Sequence, residues 1–176
     1  MSGHNKWSKI KRQKGASDAQ KSKIFGKMVR YISVEAKKAG GNLASPGLKT
    51  AIEKAKAVNV PNDTIDRAVK KGATDNSAAM ESITYEAYGP GGSALIIDAL
   101  TDNHNKASQD IKHTLAKNGF SLAGMGAASW AFDKKDGEWI PKTTMPISEE
   151  DGAKLAALID ELEENDEVQG VYTNAE

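Results

Sequence analysis

The two halves of this chain differ in both charge and hydrophobic period, and the change falls at one place. Residues 1–72 carry 17 Lys+Arg against 5 Asp+Glu, a net of +12. Residues 73–176 carry 7 against 19, a net of −12, so the formal net charge of zero hides a strong asymmetry. Apolar residues recur at helical spacing in the first half and in strand-length runs in the second. Such a chain is expected to be multi-domain, α then α+β: a basic three-helix bundle over 1–72, a linker over 73–82 and an acidic α+β domain over 83–176. The basic half calls for a polyanionic partner, most simply nucleic acid.

Hydrophobic residues make up 39% of the chain, too many for a disordered segment, and cysteine is absent. The lack of cysteine removes disulfides, thiolate metal sites and cysteine nucleophiles together, and fits a reducing compartment. The basic N-terminus has no apolar stretch behind it, so it does not read as a secretory signal. No apolar run approaches the roughly 18 residues of a membrane span. The expected location is the cytoplasm.

In the basic half, the spacing predicts a helix over 18–39, closed by Gly40-Gly41. At about 100° per residue, Lys23, Lys27, Arg30, Lys37 and Lys38 share one face and Phe25, Met28, Val29, Ile32, Ala36 and Ala39 the other, and Lys21 at the start of the same helix is a further candidate contact. A second helix opens at Ser45-Pro46, with Ser45 as N-cap, and buries Leu48, Ala51, Ile52, Ala55 and Val58. Asn59-Val60-Pro61 breaks it. A third, capped by Asn62 or Asp63 and stopped by Gly72, turns Ile65, Ala68 and Val69 inward and Arg67, Lys70 and Lys71 outward. Residues 1–15 form an arm that carries Lys6, Lys9, Lys11, Arg12 and Lys14 around Trp7.

Beyond the linker, 83–88 and 93–100 read as two strands of a hairpin around the turn Gly89-Pro90-Gly91-Gly92. A helix over 105–118 ends at Gly119. Residues 127–132 and 138–147 read as two further strands around the turn 134–137. Ser148 caps an acidic helix whose core face is Leu155, Leu158, Ile159 and Leu162. Residues 168–172 read as a last strand. The sheet is expected to be mostly antiparallel with two helices against it.

The lysine- and arginine-rich arm with its tryptophan, together with the basic faces of the helices, forms the candidate nucleic-acid surface. Tyr88, Gly89, Pro90, Gly91 and Gly92 lack the Lys-Ser/Thr of a phosphate loop and read as a rigid turn. Asp102, Asn103, His104 and Asn105 sit between a strand and a helix. A general base built from His104 and Asp102 competes there with ordinary turn and capping chemistry, which the absence of an accompanying nucleophile favours. His4, His104 and His113 show no metal-ligand spacing, so no cofactor or metal is expected.

Longer motifs then stand out. Gly3-His4-x-Lys6-Trp7-x-x-Ile10-Lys11, Lys23-Ile24-Phe25, Asn59-Val60-Pro61-x-Asp63-Thr64-Ile65-x-Arg67-Ala68 and Lys70-Lys71-Gly72 resemble signatures of the YebC/PmpR family. Tyr85-Glu86-x-Tyr88-Gly89-Pro90-Gly91-Gly92, Leu100-Thr101-Asp102-Asn103-x-Asn105, Ile140-Pro141-x-Thr143-Thr144 and Val168-Gln169-x-Val171-Tyr172-x-Asn174 continue the resemblance in order. It implies an N-terminal helical domain and two α+β domains, the third inserted into the second. It also implies a role like that of the family's members, described as probable transcriptional regulators and, in mitochondria, translational activators. The ferredoxin-like insert would lie near 133–139, where this chain has only a short connection, so the resemblance is to a short form without the third domain. The family often has Arg where this chain has His104.

The expectation is a non-enzymatic regulator of gene expression that binds DNA or ribosomal or messenger RNA, with the ribosome as a possible target and a monomeric state. The 88–92 and 102–105 loops are candidate protein-contact sites. The alternatives are a membrane-surface protein using the basic amphipathic helix and a hydrolase using Asp102 and His104.

Overall fold

A computed structural model describes residues 18–77 and 79–176. They form two compact units that divide at about residue 81. The fold is all-α in the first unit and α+β in the second, as expected.

The first unit holds α1 (Asp18–Ala39), α2 (Pro46–Ala57) and α3 (Asn62–Thr74). Ile32, Ala36, Leu48, Ala51, Ala55, Val60, Ile65 and Ala68 form its core, with Phe25, Met28 and Val29 packed against it. Gly40 and Gly41 leave α1 at φ 58° and 79°, which glycine tolerates without a Cβ penalty.

Three local details differ from the sequence reading. Ser45 stands at the N-cap of α2, but its side chain makes no capping bond. The N-cap of α3 is Pro61 rather than Asn62 or Asp63; its carbonyl accepts from the N–H groups of Thr64 (3.0 Å) and Ile65 (3.1 Å). Gly72 does not stop α3, which continues to Thr74. A Cβ there would lie 2.4 Å from the Ser33 carbonyl oxygen and 2.9 Å from the Ala36 Cβ. The glycine lets α3 lie against the backbone of α1; close approach, not helix termination, explains it.

The second unit begins with β1 (Glu81–Tyr88), so Ser82 belongs to a strand and not to the linker. A 3-10 turn at Pro90–Gly92 leads into β2 (Ala94–Thr101). Then come α4 (His104–Lys117), β3 (Leu122–Ala123), β4 (Phe132–Lys135), β5 (Glu138–Pro141), α5 (Glu149–Glu163) and β6 (Val168–Thr173). One sheet has the order β3-β1-β2-β6; β4 and β5 form a separate two-stranded sheet. The β1–β3, β2–β6 and β4–β5 pairs are antiparallel. β1 and β2 are neighbours joined by too short a connection for a parallel crossover, which makes them the expected hairpin.

Period-two alternation gives the four-stranded sheet two buried faces. Leu95, Ile97 and Ala99 of β2 face Ile111 and Leu115 of α4 and Leu155, Leu158 and Leu162 of α5. Ala94 and Ile96 face the other way, toward Ala128, Ala131, Phe132, Trp139 and Tyr172. β2 is therefore covered on both sides, which explains its nearly unbroken apolar run. On α5, Ser148 accepts from the Asp151 N–H as the predicted cap, and Gly119 leaves α4 at φ 86°.

The expected strand over 127–132 is instead a loop ending in a 3-10 turn at Ser129–Ala131. The N–H groups of Ala128 and Ser129 are taken by a side chain, described below, and those of Ala127 and Ala131 by the Gly124 and Ala128 carbonyls, so they do not join a ladder. The strand predicted over 138–147 stops at Pro141. After it, the N–H groups of Lys142 and Thr143 turn to the Ala131 carbonyl (2.9 and 3.4 Å). The predicted turn 134–137 is tighter than expected: Lys134 and Lys135 pair within the ladder, and Asp136 and Gly137 close it at φ 51° and 77°.

Candidate nucleic-acid interface

Apolar spacing sets which cations of the helical unit reach solvent. Arg67, Lys70 and Lys71 are exposed on α3, opposite the buried Ile65, Ala68 and Gly72. Arg67 is steadied along its own helix, its Nε donating to the Asp63 carbonyl (3.3 Å) and its guanidinium to Thr64 Oγ1 (3.4 Å). On α1, Lys21 and Lys38 are exposed, and Lys38 pairs with Glu35 at 3.0 Å.

The expected open stripe along α1 is corrected in one respect. Lys23, Lys27, Arg30 and Lys37 are half-buried. Both other helices pack on α1: Ser33 Oγ donates to the Ala68 carbonyl of α3 (3.4 Å), while Glu35 sits against Gly47 of α2. A helix flanked on two sides has little free perimeter, which leaves these cations only partly exposed. Lys37 donates to the Ser77 carbonyl and holds the segment after α3. Lys6, Trp7, Lys9, Lys11, Arg12 and Lys14 lie outside the described residues.

In the second unit, the two candidate contact loops are chiefly structural. Gly89 and Pro90 are buried, and only Gly91 and Gly92 of the turn reach the surface. A Cβ on Gly91 would meet Ile147 at 2.8 Å, so this turn packs against the segment leading into α5. In the 102–105 loop, Asn103 Oδ1 accepts from the Lys106 N–H (3.0 Å) and caps α4. Thr101 Oγ1 accepts from the Asn103 N–H (2.9 Å) and donates to its carbonyl (3.0 Å). This is the turn and capping chemistry weighed against a catalytic pair. Asp102, His104 and Asn105 are exposed. Lys106, beside them, is held above its ordinary pKa by its hydrogen bond to Asp110 and by the charge of Glu167.

A feature the sequence reading missed lies across the sheet. Glu86 is 7% exposed, and its carboxylate accepts three backbone N–H groups: Gly126 (2.6 Å), Ala128 (2.9 Å) and Ser129 (2.6 Å). Burial alone would raise its pKa; the three donors outweigh burial and hold the carboxyl below the ordinary glutamate value. The loop so anchored carries Met125, fully exposed, and Trp130, 53% exposed. Trp130 Nε1 donates to the Ala127 carbonyl (2.9 Å) and to Tyr88 Oη (3.3 Å), and Tyr88 Oη donates to the same carbonyl. The signal was an acidic residue between Tyr85 and Ala87, which face the helices, on a strand followed at a distance by a glycine- and alanine-rich stretch with free N–H donors to offer.

Among the described residues no cluster of His, Asp and Glu is arranged to hold a metal ion, and no helix is long and apolar enough to cross a membrane.

Comparison with known proteins agrees with this architecture. Residues 5–75 match the TACO1/YebC protein N-terminal domain, and residues 80–137 and 134–175 match the TACO1/YebC second and third domain. The chain belongs to the TACO1/YebC family. It is 42% identical to a probable transcriptional regulatory protein of Petrotoga mobilis over 181 residues, covering 100% of this chain and 71% of that protein. It is 37% identical to a protein of the same description from Fervidobacterium nodosum over 235 aligned positions, covering 99% of this chain and 93% of that one. That alignment is longer than the 176 residues of this chain, so dozens of the relative's positions face a gap. The two segments matching the second and third domain meet at the β4–β5 turn. The crystal structure of the conserved hypothetical protein Aq1575 from Aquifex aeolicus superposes with a TM-score of 0.77 at 30% identity, covering 90% of this chain and 91% of that one. The relatives are named as regulatory proteins rather than enzymes.

Proposed function

We propose that this protein is a non-enzymatic, cytoplasmic regulator of gene expression that binds nucleic acid through residues 1–72 as a monomer, with 73–82 as linker and 83–176 as a positioning or partner-contacting domain. One observation carries the reading: a net of +12 over 72 residues, of which +7 (12 basic against 5 acidic) falls within residues 18–72, on helices whose apolar faces are already used in a core, and their connections. Such a surface binds phosphates through lysine and arginine, with much affinity and little sequence choice. The relatives' description as transcriptional regulators supports a regulatory role. Between targets, a basic N-terminal sequence and a basic helical bundle suit a shaped RNA surface, such as that of the ribosome, better than the regular groove of a DNA operator.

The test is binding against ionic strength. The log–log slope on a duplex should be roughly −4 to −8, as expected for about five to nine neutralised phosphates. A slope near zero would remove the electrostatic account. Crosslinking in cells, with bound DNA and RNA sequenced separately, decides the target.

A further inference from the structure

The second unit carries an exposed aromatic surface that the basic half does not explain. Tyr88 is 39% exposed, Trp130 53% and Met125 fully exposed, and all three belong to β1 or to the loop anchored on Glu86. Apolar side chains this exposed are usually mobile; these two aromatics are fixed. The only donor of the Trp130 indole is used inside the unit, on Ala127 and Tyr88, and Glu86 fixes the backbone beneath by three bonds. The polar edge of the ring is occupied, and about half of the residue is left to solvent. The local charge is also unlike that of the rest of the domain. Residues 121–147 hold Lys134, Lys135 and Lys142 against Asp133, Asp136 and Glu138, a net of zero, whereas residues 148–176 hold ten acidic residues and one lysine. The lysine segment adjoins the aromatic one: the Lys142 N–H donates to the carbonyl of Ala131, next to Trp130 (2.9 Å).

From these observations we infer that Trp130, with Tyr88 and Met125 around it, is a stacking platform for an unpaired RNA base. A flat aromatic face held without rotational freedom is what an unstacked base takes up, and prior ordering lowers the cost of binding. Neutral local charge with three lysines admits the base's phosphates, which the acidic C-terminal stretch would repel. The inference rests on the nucleic-acid reading above and adds to it a second contact, one that selects single-stranded over paired RNA.

The experiment uses the full chain, a labelled unstructured oligoribonucleotide and a labelled RNA duplex. Trp130→Ala should weaken binding of the single strand by about five- to 150-fold and leave the duplex unchanged. Because stacking releases no counterions, the loss should be the same factor at low and high salt. Trp130→Phe should restore most of the affinity. Trp130→Leu, which keeps apolar bulk without a wide ring, should not. Thermal melts confirm that each variant is folded, and Met125→Ala, at a fully exposed side chain, provides a second probe with no folding risk and a smaller expected loss. If the parent binds neither RNA, the nucleic-acid reading itself fails. If the parent binds and Trp130→Ala and Met125→Ala bind both RNAs as tightly, the platform is overturned alone. Single-strand affinity retained by Trp130→Leu also overturns it, and points to a protein partner on the same surface.

Discussion

The two units solve the problem of a stable core differently. The helical core is rich in alanine: Ala36, Ala51, Ala55 and Ala68 bring the helices close, and Gly72 lets α3 approach the α1 backbone. The α+β core is built from Leu and Ile on two helices and a central strand, with a second apolar layer on the far side of the sheet. Close-packed small residues leave a thin core and a large outer surface, and in the helical unit that surface is basic. Bulky residues in two layers leave room for a buried carboxylate whose hydrogen bonds are all made inside. The contrast teaches a division of labour: one unit is mostly surface, suited to electrostatic contact, and the other is mostly scaffold, suited to holding a loop in one conformation.

The most severe test of that contrast is a pair of cavities. Ile32→Ala and Ile97→Ala each empty a fully buried site and should each cost about 2–5 kcal/mol. In calorimetry, Ile32→Ala should lower a transition belonging to the helical unit and leave the α+β transition in place, and Ile97→Ala should do the reverse. A single transition shifted by either change would show that the units fold as one.

Charge reversal should separate surface from core within the first unit. Arg67→Glu, Lys70→Glu and Lys71→Glu together replace exposed side chains on α3, so the melting temperature should move little. Nucleic-acid affinity should fall by roughly a hundredfold in dilute buffer and by less at high salt. The same reversal at Lys23, Lys27 and Arg30 falls on half-buried positions and should lower both affinity and stability. Gel shifts and melts on the two triple variants distinguish an open face from a partly covered one.

A smaller effect is expected where the helices touch. Gly72→Ala places a methyl group 2.4 Å from a backbone oxygen, which forces α1 and α3 apart. Overpacking of this kind costs about 1–3 kcal/mol. Denaturant melts should show the loss, although alanine is the better helix former.

The smallest effect is a pH dependence confined to the α+β unit. The folded-state pKa of Glu86 lies below its unfolded value. Its contribution is therefore present above the ordinary glutamate value of 4.5 and is lost as pH falls through the lower folded value. The α+β melting temperature should drop over that acidic window, and Glu86→Gln should flatten the drop. An unchanged acid profile in the variant would remove Glu86 as its source.

Much of the fold was legible in the sequence because it follows from local period. The bounds of α1, the breaks at Gly40-Gly41 and Asn59-Val60-Pro61, the β1–β2 hairpin, the Ser148 cap and the stop at Gly119 need only side-chain spacing, backbone freedom and cap chemistry. Membership of a known family was legible too, in motifs spread along the whole chain. The candidate site was legible as charge but not as exposure: spacing around one helix placed Lys23, Lys27 and Arg30 on an outer face, yet could not count how many neighbours that helix would acquire.

What only the tertiary structure decided has a common cause. The stretch over 127–132 has strand composition, and Gly72 has the look of a helix stop. Each local preference is worth less than the long-range contact that overrules it. Glu86 draws in the N–H groups of residues some forty positions away, and Ser33 sets what fits at residue 72. A buried carboxylate without donors, or a methyl group against a carbonyl oxygen, costs more than a residue's intrinsic preference for strand or helix. Sequence by itself therefore determined the elements, their order and the charge they carry. Packing decided which glycine is a turn and which a contact, which lysines meet water, and which tryptophan stands exposed.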